Sequence, residues 1–369
     1  MTSKNGQIQG GVLRAKENPL AAEVWETGAA EGHVKRLARY NAAKHRQGLV
    51  LERIVSVRDA QGNLKYRAEI KALRDCGSYL IFRHYIRPDV YKLLGGCSCK
   101  RHLLCPLCAI RRAARSIAVA KEKLDAVVPS GPYEAFFVTF TVKNGEDLQE
   151  RLEHLMQSYK RLLQKRRDSR KSNPQSDTCY KVIEGGFASY EVTYNKETGE
   201  YHPHIHSMIL VPLGSIPTVE MEIKGKKIQA PAEFQRRLSA EWREITGDSF
   251  IVDVRRIAWD SVNTDEIMEA LVECFKYALK VAIIEDDQRD LDVLLACYDV
   301  LKGRRLQSSF GVLWGVKLEE QTSDDLLPEE LEYIDVLYQY APSFGYQLAD
   351  PKMLTPEFRR RVIEGRTIE

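Results

Sequence analysis

The chain has 369 residues, 44% of them hydrophobic and 29% charged, with a formal net charge of +3. That is ample for a core, in two domains or in one domain with sizeable extensions. No apolar run of about 18 residues occurs, which excludes a membrane-spanning helix; the polar start MTSKNGQIQGG lacks the apolar core of a secretory signal, so a cytoplasmic location is expected. The charge is unevenly spread. KRLLQKRRDSRK (Lys160 to Lys171) and RRAARS (Arg111 to Ser116) are basic, whereas Leu318 to Val336 is acidic. Such asymmetry fits a polyanionic partner, against the plainer reading of solvated helix faces.

In chain order, the first thirty residues or so are small and polar and predict a poorly ordered tail. EGHVKRLARYNAAKHRQGLVLERIVSV has helical spacing, GSYLIFRHY (Gly77 to Tyr85) alternates as a strand does, and AIRRAARSIAVAKEKLDAVV reads as a helix. EAFFVTFTV (Glu134 to Val142) is β-branched and aromatic, hence a strand. The leucines of EDLQERLEHLMQSYKRLLQKRR recur at helical intervals. GFASYEVTYN (Gly186 to Asn195), the turn NKETG and HIHSMILV form an antiparallel hairpin. A helix between Pro231 and Gly247, a strand from Ser249 to Ile257 and a helix starting at Asn263, with Glu266 as capping-box partner, complete the pattern. The order from Glu134 is β-α-β-β-α-β-α. This predicts an α+β fold, an antiparallel sheet flanked by helices.

Three of the eight histidines fall within YHPHIHSMILV. Residues two apart on a strand share a face, so His204 and His206 point one way, continued by Met208 and Leu210. His202 has the same parity, but Pro203 leaves its direction open. The hairpin partner SYEVTYN offers Glu191, a carboxylate among apolar and aromatic residues, costly unless paired or metal-bound. Two readings compete: a solvent-facing polar row, or a His-His-Glu site for Mg, Mn or Zn.

VECFKYALK places Glu273, Tyr277 and Lys280 on one helical face. A phenol, a carboxylate and an ammonium in that arrangement can serve as nucleophile, base and anion clamp; the alternative is an ordinary amphipathic helix. Four of the eight cysteines cluster as CSCKRHLLCPLC. Cys97, Cys99, Cys105 and Cys108 are spaced to close a tetrahedral zinc site, with His102 as a substitute ligand, and free thiols are the alternative. Arg111, Arg112 and Arg115 follow on a helix that such a knuckle would aim at DNA. The scattered Cys76, Cys179, Cys274 and Cys297 read as small buried hydrophobes.

Taken in order, these segments resemble the rolling-circle replication initiators of small plasmids, within the HUH endonuclease superfamily. FFVTFTVKN, HPHIHSMIL and ECFKYALK resemble the family's three motifs. CGSYLIF and CPLCAIRRAARS resemble its cysteine-rich lead-in, and LKGRRLQSSFGVL its closing segment. The likeness spans roughly Leu73 to Trp314, with the tyrosine after the histidines, as in replication initiators rather than relaxases. It implies a ferredoxin-like HUH core over residues 131–282. A tail over 1–30 and a helical, zinc-binding region over 31–130 would precede that core. A family segment over 283–317 and an acidic extension over 318–369 would follow it.

The resemblance implies His204, His206 and Glu191 as ligands of Mn²⁺ or Mg²⁺ and Tyr277 as nucleophile. Lys280 would position metal or phosphate, and Glu273 would activate water at termination, as in one single-tyrosine branch. Such an enzyme would be a nickase and strand transferase. It would act on single-stranded, cruciform or supercoiled plasmid origin DNA, with a host helicase and polymerase, and a homodimer is compatible with this. Arg111, Arg112, Arg115, Lys160, Arg161, Lys165, Arg166, Arg167, Arg304 and Arg305 are the candidate DNA contacts. Rival readings are an HUH-type transposase, a phosphoesterase without covalent intermediate, and an inactive DNA-binding regulator.

Overall fold

Two antiparallel sheets, each covered by helices, organise the chain as an α+β protein. The computed structural model describes residues 30–87, 89–171, 177–223, 226–257, 265–275, 288–316 and 332–365. The first stretch holds α1 (Ala30–Ile54), α2 (Arg67–Arg74), β1 (Tyr79–Tyr85), β2 (Val90–Gly96) and α3 (Pro106–Val127). The middle holds β3 (Tyr133–Thr141), α4 (Leu148–Arg170), β4 (Gly185–Asn195), β5 (Glu200–Pro212), β6 (Val219–Ile223), β7 (Lys226–Ala230), α5 (Ala232–Thr246), β8 (Val252–Ile257) and α6 (Asp265–Phe275). The last holds α7 (Gln288–Leu301), β9 (Gln307–Gly311), β10 (Tyr333–Ala341), β11 (Gly345–Leu348) and α8 (Pro356–Ile363). The order expected from Glu134 is present, with the β6-β7 hairpin added between β5 and α5.

The larger sheet has the strand order β8-β3-β5-β4-β9. Its period-2 pattern divides the core in two. Phe136, Val138, Phe140, Ile205 and Ile209 point to one side, where Leu152, Leu155, Tyr159 and Leu162 of α4 and Leu238 and Trp242 of α5 cover them. Ala135, Phe137, Met208, Leu210 and Phe187 point to the other, against Ile117, Ala120 and Leu124 of α3 and Leu271 and Phe275 of α6. Fully burying one such side chain contributes roughly 1.5–3 kcal/mol.

Local signals set the helix ends. Asp147 caps α4 by accepting from the Glu150 amide at 3.0 Å. Gly247 ends α5 in the left-handed region, at φ 73°, where a Cβ would be strained. Trp242, fully buried, donates its indole N–H to the Thr141 carbonyl at 2.7 Å, tying α5 to the end of β3.

The smaller sheet has the order β11-β10-β1-β2. The stretch from Tyr333 joins this sheet: β10 pairs with β1 in antiparallel register from Tyr79↔Gln339 to Tyr85↔Tyr333. One face packs on α1 through Tyr40, Leu80, Phe82 and Tyr346, and the other on α8 through Ile81, Leu337 and Val362. No helix among the described residues is long and apolar enough to cross a membrane.

Candidate metal centre and nucleic-acid interface

The register of the β4-β5 hairpin builds the first site. Its turn pairs Asn195 with Glu200, and counting back two by two puts Glu191 directly opposite His204. His206 lies one pleat further on the same face, opposite Ser189 on one side and Thr139 of β3 on the other. All three side chains are buried: Glu191 is 3% exposed, His204 8% and His206 6%. One oxygen, Glu191 Oε2, lies 3.1 Å from His206 Nε2 and 3.5 Å from His204 Nε2. The solvent-facing reading therefore fails, and the shared parity of His204 and His206 with Met208 and Leu210 holds.

Neighbouring groups fix the imidazoles. His204 Nδ1 donates to the His202 carbonyl at 3.2 Å, which leaves Nε2 as its lone-pair nitrogen. Thr139 Oγ1 sits 3.3 Å from His206 Nδ1. His202 stacks beside His204 at 5.1 Å between ring centroids but is outside the ligating trio. Burial, and then the proximity of His204, push its pKa down to about 4. The donor atoms of Glu191, His204 and His206 all lie within 4.8 Å of one another. A buried carboxylate facing two oriented imidazoles is a donor set that fits a divalent cation.

α6 closes over this face. Its Cys274 thiol donates to the His206 carbonyl at 3.5 Å, and Phe275 packs edge-on against Phe187 at 5.6 Å. Glu273, partly exposed, accepts from Arg255 of β8 at 3.2 Å. Arg255 also reaches Asp253 at 3.1 Å and lies over the Phe137 ring, which in turn packs on His206. Sequence reading missed Arg255 and Thr139; their parity on β8 and β3 was the available signal. Tyr277 and Lys280 lie outside the described residues.

The cysteine cluster is corrected. The four sulfurs within 4.8 Å of one another belong to Cys76, Cys99, Cys105 and Cys108, not to Cys97. Cys97 packs instead with Ile81, Leu94 and Val362 under α8. Cys76 arrives from the end of α2 because Gly77 turns the chain at φ 73°, in space where a Cβ would meet Leu107 and the Tyr346 hydroxyl. That hydroxyl donates to the Gly77 carbonyl at 2.6 Å, so the C-terminal hairpin braces the loop. Hydrogen bonds from the Cys105, Cys76 and Cys99 thiols hold Cys108 far below its ordinary pKa, while burial pushes Cys105 up. Half-buried Lys44, bonded to the Cys76 carbonyl, adds a positive charge beside the sulfurs. Four thiols gathered around one point fit a metal ion.

The basic candidates divide between the two faces. Arg112 and Arg115 are exposed on α3, on the His204 side of the sheet, while Arg111 approaches the Gly96 carbonyl at 3.5 Å. Lys160, Arg161, Lys165 and Arg167 ride on α4, which covers the opposite side, where Tyr159 meets Ser207 at 3.4 Å. Lys165 pairs with Glu241 at 2.9 Å and Arg304 with Glu153 at 2.8 Å. Arg305 is exposed before β9.

Arg166 is not a free cation. It is buried and donates to the Ile183 carbonyl at 2.8 Å and the Glu184 carbonyl at 2.9 Å. Arg166→Ala should therefore lower stability by roughly 1–3 kcal/mol through the orphaned carbonyls and leave DNA affinity unchanged. Denaturant melts and DNA titrations of the variant check this pair of outcomes.

A family profile described as replication protein matches residues 90–341. A "Protein rep" from a Bacillus species is 27% identical over 285 residues, spanning 70% of this chain and 83% of that protein. A "Protein rep" from Bacillus amyloliquefaciens is 26% identical over 310 residues, spanning 77% and 83%. A "Protein rep" from Streptococcus pneumoniae is 34% identical over 146 residues, spanning 38% and 41%. No solved structure matches the chain significantly. The profile covers well over half of the sequence, and the chain belongs to the replication protein family as a plasmid replication initiator.

Proposed function

We propose that this initiator nicks one strand of its plasmid origin through a tyrosine nucleophile and later rejoins it, in rolling-circle replication. The observation that carries this is the buried Glu191, His204 and His206 trio on one sheet face, under the helix that bears Glu273. Tyr277 follows Glu273 by four residues in the sequence, the spacing of one helical turn. When bound by the trio, Mn²⁺ or Mg²⁺ would withdraw charge from the scissile phosphate. Glu191 and the two imidazoles would hold the ion, and Thr139 and the His202 carbonyl keep the rings from turning.

The Tyr277 phenol loses its proton to a nearby base and its oxygen attacks phosphorus. The bond from phosphorus to the 3′ oxygen breaks, and that oxygen leaves as a protonated hydroxyl. The product is a 5′-phosphotyrosine and a 3′-hydroxyl primer for a host polymerase, with a helicase to open the duplex. Attack by a 3′-hydroxyl on the phosphotyrosine reverses these bond changes without ATP. Lys280 serves the same phosphate. The cysteine cluster would hold a structural Zn²⁺ that ties the start of α3 to the end of α2 and to the loop carrying Cys99.

Arg255 restrains Glu273 without burying it, as suits a base that must reach a water at termination. General-base help of that kind is worth about 10²–10⁴ in rate. Glu273→Gln should nick supercoiled origin DNA at near wild-type rate and fail to hydrolyse at termination, so that replication runs past unit length. Release of correct monomer circles by the variant would assign termination to another group.

The reading as a whole is tested by incubating the full chain and Mn²⁺ or Mg²⁺ with labelled single strands tiled across the origin. A covalent protein-DNA band stable in denaturant is expected from the wild type. Cleavage without such a band would instead indicate a phosphoesterase.

A further inference from the structure

A cavity of about 100 Å³ lies between α3, the end of α6 and the segment entering β9, lined among others by His102, Arg112, Phe275, Arg305 and Gln307. None of its lining residues is acidic. Arg304, also at its wall, is occupied by Glu153 and the Val300 carbonyl. Arg112 and Arg305 have no acidic partner among the described residues. Burial, and then Arg112, hold the His102 pKa below its ordinary value, and its ring forms part of the cavity wall. Burial, and then Arg305, likewise depress Lys123. Cations gathered without counter-charge are held at an energetic cost that a bound anion would remove, and a guanidinium fork matches phosphate geometry.

The sheet register relates this cavity to the metal trio. Gln307 pairs with Ser189, and Ser189 pairs with His206. The three side chains therefore share one face, with Gln307 two strands from His206, roughly 10 Å at the usual strand spacing. The Ser116 hydroxyl donates to Gln307 Oε1 at 2.9 Å, leaving the amide N–H₂ as a donor. The basic residues of α4 cannot serve here, because they sit across the sheet.

We propose that this cavity is a subsite for one backbone phosphate of the single-stranded DNA held at the metal trio, a nucleotide or two from the cleaved bond. Arg112 and Arg305 neutralise the phosphate, and the Gln307 amide donates to one of its oxygens. The proposal rests on the nickase reading for the DNA path, but its test reads binding rather than cleavage.

The probe is a labelled origin oligonucleotide bound by the full chain, in versions with one phosphate at a time replaced by a neutral methylphosphonate. Wild type should lose about tenfold in affinity at one position near the cleavage point. Arg112→Ala/Arg305→Ala should lose about the same on the unmodified strand and show no further loss at that position; unchanged metal content and melting would report an intact fold. Arg305→Lys, which keeps charge without the fork, should be intermediate. The subsite is overturned if the double variant keeps the wild-type methylphosphonate profile. It is also overturned if a single abasic nucleotide, rather than a methylphosphonate, is what the double variant no longer senses, since the cavity would then hold a base. Should the binding pattern appear while no covalent product forms, the subsite stands and the nickase reading falls.

Discussion

His206→Ala should bind origin DNA almost as the wild type does and lose cleavage by a factor on the order of 10³, the scale of removing one preorganised electrostatic group from a reacting centre. The two effects separate because affinity comes mainly from arginine and lysine contacts to phosphates, whereas the trio supplies imidazoles and a carboxylate. Removing the ring takes one of the two imidazoles from Glu191 Oε2, at 3.1 Å, while the His204 imidazole stays at 3.5 Å. A stability loss of roughly 1–3 kcal/mol is expected alongside. His206→Gln restores a polar partner but not a basic nitrogen, so it should recover stability without recovering cleavage. Wild-type nicking by both variants would mean that the trio is structural.

The second large effect separates two cysteines that a linear motif treats alike. Purified, reduced protein should hold about one tightly bound zinc. Cys76→Ser should lose most of it and melt at a markedly lower temperature, because metal binding to such a site contributes directly to folding. Cys97→Ser should retain the metal, since Cys97 packs under α8 and is not one of the four sulfurs. Metal analysis and thermal melts of both variants check this. Metal loss in Cys97→Ser with retention in Cys76→Ser would restore the ligand set that the local spacing suggests.

The contrast between the two sites shows what the sequence made legible. Glu191 could be matched to His204 and His206 because a short turn fixes the hairpin register and strand parity then fixes the face. Cys76 could not be matched to its partners, because it reaches them from the end of another helix, and only the turn at Gly77 brings it there. The same limit hid the pairing of β10 with β1, since periodicity marks a strand but not a distant partner. Arg166 read as one more cation in a basic helix; the Ile183 and Glu184 carbonyls that engage it appear only in three dimensions. Composition also gave no hint that the basic residues of α3 and α4 lie on opposite faces of one sheet.

The central claim is that the metal trio and Tyr277 act on one phosphate. The most direct measurement is the yield of covalent protein-DNA adduct from a labelled single-stranded origin oligonucleotide, with wild type and Tyr277→Phe compared in Mn²⁺ and in chelator. The account predicts an adduct for wild type with metal, and none for Tyr277→Phe or in chelator, while all samples still bind the strand. An adduct of normal yield from Tyr277→Phe, or one that persists in chelator, would contradict it.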